Sequence, residues 1–222
     1  NIPLGLAAFL LGWKLLPHNP PSQEKNQLDG QSVVLNAVFF GLLIYTIEGF
    51  AHDGMSTLLI LQGIVTILVG WTYIRRQQQI QIPILPIDLF KIPIFSLSIG
   101  CSISCFTAQM LALVSLPFFM QHSLGLSVAE TGLMLTPWPI ATTLTAPLAG
   151  RLVEKMHPGI LGGIGMIIFT IGLCMLASLG SGTSLWNLAW RMAVCGIGIG
   201  LFQTPNNVTI TTSAPLKRSG SA

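Results

Sequence analysis

Ser56-Thr-Leu-Leu-Ile-Leu-Gln-Gly-Ile-Val-Thr-Ile-Leu-Val-Gly-Trp-Thr-Tyr-Ile74-Arg75-Arg76 decides the fold. The run carries no charge from Ser56 to Ile74 and then meets two arginines. About 20 apolar residues are enough for a helix to cross the hydrocarbon of a bilayer. The arginines mark the end that stays on the cytoplasmic side, because short loops retained there are enriched in Lys and Arg.

Outward from this run the pattern alternates. Lys14 and Lys25 follow the first apolar run, Arg75, Arg76 and Lys91 the third, Arg151 and Lys155 the fifth, and Lys217 and Arg218 the last. The gaps at 51–55, 121–127 and 180–184 hold no Lys or Arg, and Arg191 alone departs from the scheme. This is the signature of a polytopic membrane protein threading back and forth. It predicts an all-α fold with six full transmembrane helices, at 33–50, 56–74, 92–120, 131–150, 159–179 and 186–211. Residues 1–16 read as the tail of a truncated further helix, ended by Pro17. The loops at 17–32, 75–91, 151–158 and 213–222 are expected in the cytoplasm and the three short turns outside. Residues 77–91 hold alternating Gln and Ile with two prolines, too polar to span, and read as a linker along the cytoplasmic interface.

Composition agrees. Of 222 residues, 51% are hydrophobic and only 8% charged, against roughly 25% charged in a soluble domain; mean hydropathy is +0.73. The net charge of +3 comes from the expected cytoplasmic loops and forms no basic patch, so nucleic acid is excluded as a partner. Cys101, Cys105, Cys174 and Cys195 all lie in apolar runs, which fits buried small thiols rather than a disulfide framework or a metal site. Catalytic motifs are absent, so an enzyme is not expected. The start at Asn1-Ile2-Pro3, without Met or a basic leader region, reads as that of an internal fragment. The sequon at Asn207-Val208-Thr209 lies within a span and is discounted.

The residues that could carry function are polar groups inside the spans. Ser98, Ser102, Cys105 and Gln109 form one stripe on the 92–120 helix. A polar stripe in hydrocarbon faces protein or water, so it serves either interhelical hydrogen bonds or a cavity lining. On the last span, Gly196 and Gly200 form a G-x-x-x-G that admits a close helix neighbour. Pro205 is expected to break that helix near mid-membrane, with Gln203, Asn206 and Asn207 around the break; discontinuous, amide-rich helices are where transporters bind substrate. Pro137-Trp138-Pro139 predicts a second break, with Trp138 as a cavity wall. Glu48 is the acid placed to attract a cation or carry a proton, or else to snorkel to the interface, as Arg191 is expected to do.

The segment Pro147-Leu-Ala-Gly150-Arg151-Leu152-Val-Glu154-Lys155-Met-His-Pro-Gly159 resembles the second-half copy of the G-x-L-x-D-R-x-G-R-K loop of the major facilitator superfamily. Glu154 stands in the place of the motif's acid, Lys155 in that of the following basic residue, and Gly150 where tight helix contact is needed; the later Arg and Lys are missing. The resemblance implies that Gly150, Arg151, Glu154 and Lys155 form a gating loop. Asn1-Ile-Pro-Leu-Gly5, Leu133-Met-Leu-Thr-Pro137, the Gly196–Asn207 segment and Ala214-Pro-Leu-Lys-Arg218-Ser-Gly220 are similar to stretches of the fourteen-helix drug:proton antiporters of that superfamily, of the methyl viologen and quaternary ammonium efflux type. The likeness implies that 1–16 ends the sixth helix of the N-terminal half, 33–76 is the inserted helix pair, and 92–222 holds the first four helices of the C-terminal half.

What the resemblance implies in function is proton-coupled export of lipophilic cationic drugs across a bacterial inner membrane. The proton gradient is the energy source and no cofactor is needed. The partners are the lipid bilayer, small lipophilic cations and protons, with oligomeric state open. From the residues alone a polytopic transporter-like bundle follows. A carrier of another metabolite or sugar, and a membrane subunit that transports nothing, remain alternatives.

Overall fold

The computed structural model describes residues 2–15, 29–52, 56–80, 83–84 and 87–213. Helices α1 (Ile2–Leu15), α2 (Gly30–His52) and α3 (Thr57–Gln77) are followed by a 3-10 turn at Ile87–Lys91. Then come α4 (Pro93–Ser123), α5 (Val128–Met134), α6 (Pro137–Val153), α7 (Pro158–Ala177) and α8 (Leu185–Ser213). Among the described residues there is no strand. Helices α2, α3, α4, α7 and α8 are each long and apolar enough to cross a membrane. Their outer faces are lined by exposed side chains such as Ile44, Ile67, Leu97, Leu111 and Ile167, as a lipid solvent requires. The chain is an all-α, multi-pass membrane protein. Lys25, Lys217, Arg218, most of the 17–32 loop, the 53–55 turn, parts of the 77–91 linker and the 214–220 likeness lie outside the described residues.

The chain divides into two compact units after Arg76. In the first, α2 and α3 form an antiparallel hairpin. In hydrocarbon, helices associate through van der Waals contact and hydrogen bonds rather than by leaving water, and this pair uses both. Asn36 Nδ2 donates to Tyr73 Oη at 2.7 Å, and the Thr46 and Thr66 hydroxyls meet at 3.0 Å. Gly70 admits the Phe39 ring and Gly49 the end of Leu59. At one end Arg76 grips Asp29 with two bonds, Nε to Oδ2 at 3.0 Å and Nη2 to Oδ1 at 3.1 Å. The Ser32 hydroxyl, donating to Asp29 at 2.7 Å, and then Arg76 hold that carboxyl below its ordinary pKa.

In the second unit α8 is central. Two glycine faces explain its packing. A Cβ at Gly196 would fall on Trp138 O and 2.9 Å from Ala141 Cβ, and one at Gly200 would lie 2.8 Å from Thr145 Cβ. The expected G-x-x-x-G is therefore the seat of α6, reinforced by Thr142 Oγ1 donating to Gly196 O at 3.0 Å. The second face holds α7. Gly198 abuts the Phe169 backbone, Gly165 lies against Phe202 N, and Gly172 against Cys195. Pairings rise together along α6 and α8 and run opposite along α7 and α8, so α6 and α8 are parallel and α7 antiparallel to both. Trp138, Phe169, Met192, Cys195 and Ile199 fill the core between them. The 3-10 turn tucks Leu89 against Phe95 and Ile210.

Three expectations need correction. The 131–150 run is not one helix. A capping box, Ser127 with Glu130, starts α5, and the interruption falls at Leu135–Thr136 rather than within Pro137–Pro139. Pro137 and Pro139 have no N–H to donate, so the ladder lapses in the turn before them, where Thr136 N and Oγ1 satisfy Leu133 O at 3.1 and 2.6 Å. Second, Pro205 does not break α8, which runs unbroken from Leu185 to Ser213. Its ring is buried and faces Gly162 of α7. At 1.5 Å per residue Asn206 sits about 10 Å from the helix centre, so the amides are not at mid-helix. Third, Arg191 does more than snorkel. Its guanidinium donates to Met175 O and to Ser178 Oγ at 3.0 Å, and its Nε to Asn187 Oδ1 at 2.9 Å. It thus satisfies one carbonyl, Met175 O, at the α7 C-terminus, where a cation is favoured by the helix dipole.

Candidate functional site

A cavity of about 490 Å³ opens between the first turns of α4, the start of α7 and the last third of α8. It exists because α7 begins with Gly159, Gly162 and Gly163, which put no side chain into the space. Ile94, Leu97, Met166 and Phe202 give it an apolar wall. The polar groups come from one stripe of α8, Asn206, Thr209 and Ser213, with Thr212 beside it, from Ser98 on α4, and from His157 at the α7 N-cap.

The hydrogen bonds in the wall fix what it can offer. Asn206 Nδ2 donates to Ser102 Oγ at 2.7 Å, bridging α8 to α4. Asn206 Oδ1 has no partner among the described residues. Thr209 donates to Pro205 O, Thr212 to Val208 O and Ser213 to Ile210 O, at 2.9, 2.7 and 2.9 Å. These hydroxyl protons are spent on the backbone, which leaves oxygen lone pairs toward the cavity. His157 Nδ1 accepts from Gly159 N at 3.2 Å, so it serves as a cap and its other ring nitrogen is the donor. No Asp, Glu, Lys or Arg is among the described lining residues. The cavity is thus apolar, uncharged and rich in acceptors, suited to an amphiphilic guest that brings its own donors or positive charge.

Of the predicted residues, this cavity takes in Asn206 and Ser98 directly and Ser102 through its bond to Asn206. Gln203 is half-buried on α8 outside the lining, and Asn207 is exposed on another side of the helix. Trp138 is 2% exposed and packs edge-on against Phe169 at 5.9 Å; it is a core residue between α6, α7 and α8, not a wall of this cavity. Gln109 is half-buried, one turn beyond Cys105 on the inward stripe of α4. Gln109 Oε1 and Trp138 Nε1 are both buried without a hydrogen-bond partner.

At the 150–155 loop, Arg151, Glu154 and Lys155 are exposed and make no ion pair among the described residues. A Cβ at Gly150 would meet nothing within 4 Å. Among the described residues the expected tight contact is not made, because α6 packs through Trp138, Ala141, Thr142, Thr145 and Ala149, and Gly150 lies one residue off that stripe. Glu48 is exposed on α2, in the first unit. The sequence reading missed Thr209, Thr212 and Ser213, whose signal was the continuation of the Asn206 stripe at helical spacing. It also missed Gly165, Gly172 and Gly198, whose small-residue spacing on α7 and α8 was legible.

The comparisons with known proteins agree with this architecture. A profile described as Major Facilitator Superfamily matches residues 1–222. The uncharacterized transporter YebQ of Escherichia coli (strain K12) is 50% identical over 222 residues, all of this chain and 49% of that protein. The riboflavin transporter RibZ of Clostridioides difficile (strain 630) is 27% identical, over 99% of this chain and 47% of its own. The multidrug efflux pump LfrA of Mycolicibacterium smegmatis is 27% identical, over 100% of this chain and 44% of its own. The chain spans about half the length of the curated relatives it matches. On the profile match, the helical architecture and these relatives, the chain belongs to the Major Facilitator Superfamily.

Proposed function

We propose that the chain is part of a proton-coupled exporter of lipophilic cations, of the fourteen-helix drug:proton antiporter type, working in a bacterial inner membrane. The observation that carries the substrate class is the α4–α7–α8 cavity, with apolar walls, no Lys or Arg among the described lining residues, and acceptor oxygens along α8. A lipophilic cation gains apolar contact there and meets oxygen dipoles in place of water. The relative named as a multidrug efflux pump supports the direction of transport. Coupling to protons and the inner-membrane location rest on the sequence resemblance. In this reading Gln203, Asn207 and Gln109 belong to a wider substrate path with Trp138 packed behind it as core, Gly150, Arg151, Glu154 and Lys155 act as a gating loop, and Glu48 is an acid outside the cavity.

A second reading, a carrier of a neutral planar metabolite, is supported by the relative named as a riboflavin transporter and by the lack of an acid in the cavity wall. Everted membrane vesicles from cells expressing the protein separate the two. Energised vesicles should accumulate a fluorescent lipophilic cation, and collapse of the pH gradient should abolish the uptake. Uptake of riboflavin without uptake of any cation would favour the second reading, and cation uptake indifferent to the pH gradient would remove proton coupling.

A further inference from the structure

At the end of the α2–α3 hairpin opposite Arg75 and Arg76 lies a second cavity, of about 280 Å³. Tyr45, Glu48 and His52, at helical spacing on α2, form one wall, and Ser56, Leu58 and Gln62 at the start of α3 form the other. Gly49 closes the floor by letting Leu59 fold against it. Glu48 is four residues from the end of α2, about 6 Å along the axis, within the boundary between hydrocarbon and headgroups. It makes no hydrogen bond or ion pair among the described residues. At the other end of the same hairpin the acid is treated differently, since Asp29 is clamped by Arg76 and Ser32.

A carboxylate at this depth is costly unless a positive charge meets it. Among the described residues no Lys or Arg lines the cavity, and His52, one turn further along the same wall, makes no ion pair with Glu48. Leu58 in its wall is 75% exposed, and Ile44 and Ile47, which precede Tyr45 and Glu48 on α2, are exposed at 65% and 60%. An occupant that satisfies both features has an ammonium group for Glu48 and hydrocarbon to lie along these side chains. Tyr45, 66% exposed, adds a ring face and a hydroxyl at headgroup level, where amphipathic aromatics are favoured. The bilayer itself offers such molecules at far higher concentration than any solute.

We propose that this cavity is a binding site for the ammonium headgroup of an amino-phospholipid, with Glu48 as its counter-charge. By the Lys and Arg asymmetry of the loops the site lies in the outer leaflet. It fastens the hairpin to the lipid around it and is independent of the α4–α7–α8 cavity and of what that cavity carries.

The test is native mass spectrometry of the detergent-purified protein titrated with phosphatidylethanolamine, phosphatidylglycerol and an N-acylated phosphatidylethanolamine that lacks the ammonium. Phosphatidylethanolamine should be retained at least about fivefold better than either of the others. Glu48→Gln should erase that preference while Glu48→Asp keeps most of it, with the melting temperature of both variants in lipid-free detergent unchanged. Equal retention of the three lipids, or a preference that survives Glu48→Gln, overturns the proposal. A dodecyltrimethylammonium arm separates the sources. If that cation binds in a Glu48-dependent way while phosphatidylethanolamine shows no preference, the site belongs to a soluble cation and the lipid assignment is wrong.

Discussion

Replacing Gly198 by Ala tests the packing that holds the second unit together. The added methyl would fall on Phe169 N and lie 2.7 and 2.8 Å from Phe169 Cα and Cβ. Those are backbone and root atoms, so no side-chain end can swing away. Either α7 and α8 separate or Phe169 leaves its edge contact with Trp138. Overpacking of this kind costs about 1–3 kcal/mol. Gly150 is the control. A methyl there meets nothing within 4 Å, and an Ala in place of Gly in a helix gains about 1 kcal/mol from propensity. Because both variants share that gain, their difference isolates the overpacking, and it should separate their melting temperatures by on the order of 5 °C. The assay is thermal unfolding of the detergent-solubilised protein, followed by loss of the monodisperse peak. Gly198→Ala should melt below Gly150→Ala by that margin. Coincident melting curves would refute the close crossing of α7 and α8.

Three further outcomes follow from named contacts. Ser102→Ala and Asn206→Ala should be non-additive in stability, with a coupling of about 1 kcal/mol in a double-mutant cycle; full additivity would mean that the bridge between α4 and α8 does not form. Arg191→Gln removes a cation from the α7 C-terminus and should lower stability by about 1–2 kcal/mol, with Arg191→Lys in between, as read by chemical denaturation in detergent. Asp29 has a folded pKa below its ordinary 3.8, so its stabilising effect is complete above that value and fades as pH falls below it through the depressed folded value. Asp29→Asn should remove this acid-dependent loss from melting curves taken across that range, and an unchanged pH profile would exclude the Asp29 carboxylate, held by Ser32 and Arg76, as its origin.

Charge placement made the membrane class legible, because a single rule links Lys and Arg in loops to threading. The G-x-x-x-G at Gly196 and Gly200 was legible for the same kind of reason, since small residues one turn apart have few uses in hydrocarbon other than close approach. Breaks were harder to place. Pro205 lies in a helix that stays intact, because what a proline does to a helix depends on how its ring is packed, here against Gly162 on α7. Trp138 read as a cavity wall from its depth alone, yet the identity of its neighbours, Phe169 and Cys195, decides that it is core. The Asn206 stripe was only half seen: its amide stood out, while Thr209 and Ser213 looked like ordinary end-of-helix hydroxyls until α4 and α7 were placed around them. Gly150 resembled a contact glycine by motif, and the register of α6 puts it off the stripe that packs on α8.

The most direct test of the account is the drug profile of Asn206→Ala in cells that depend on the protein for resistance, measured for several lipophilic cations with protein level followed in parallel. If Asn206 lines the substrate path, export of some cations should fall at least about fivefold more than that of others at unchanged protein level. Equal loss for every cation, in proportion to a loss of protein, would contradict it and make the Ser102–Asn206 bridge a packing contact alone.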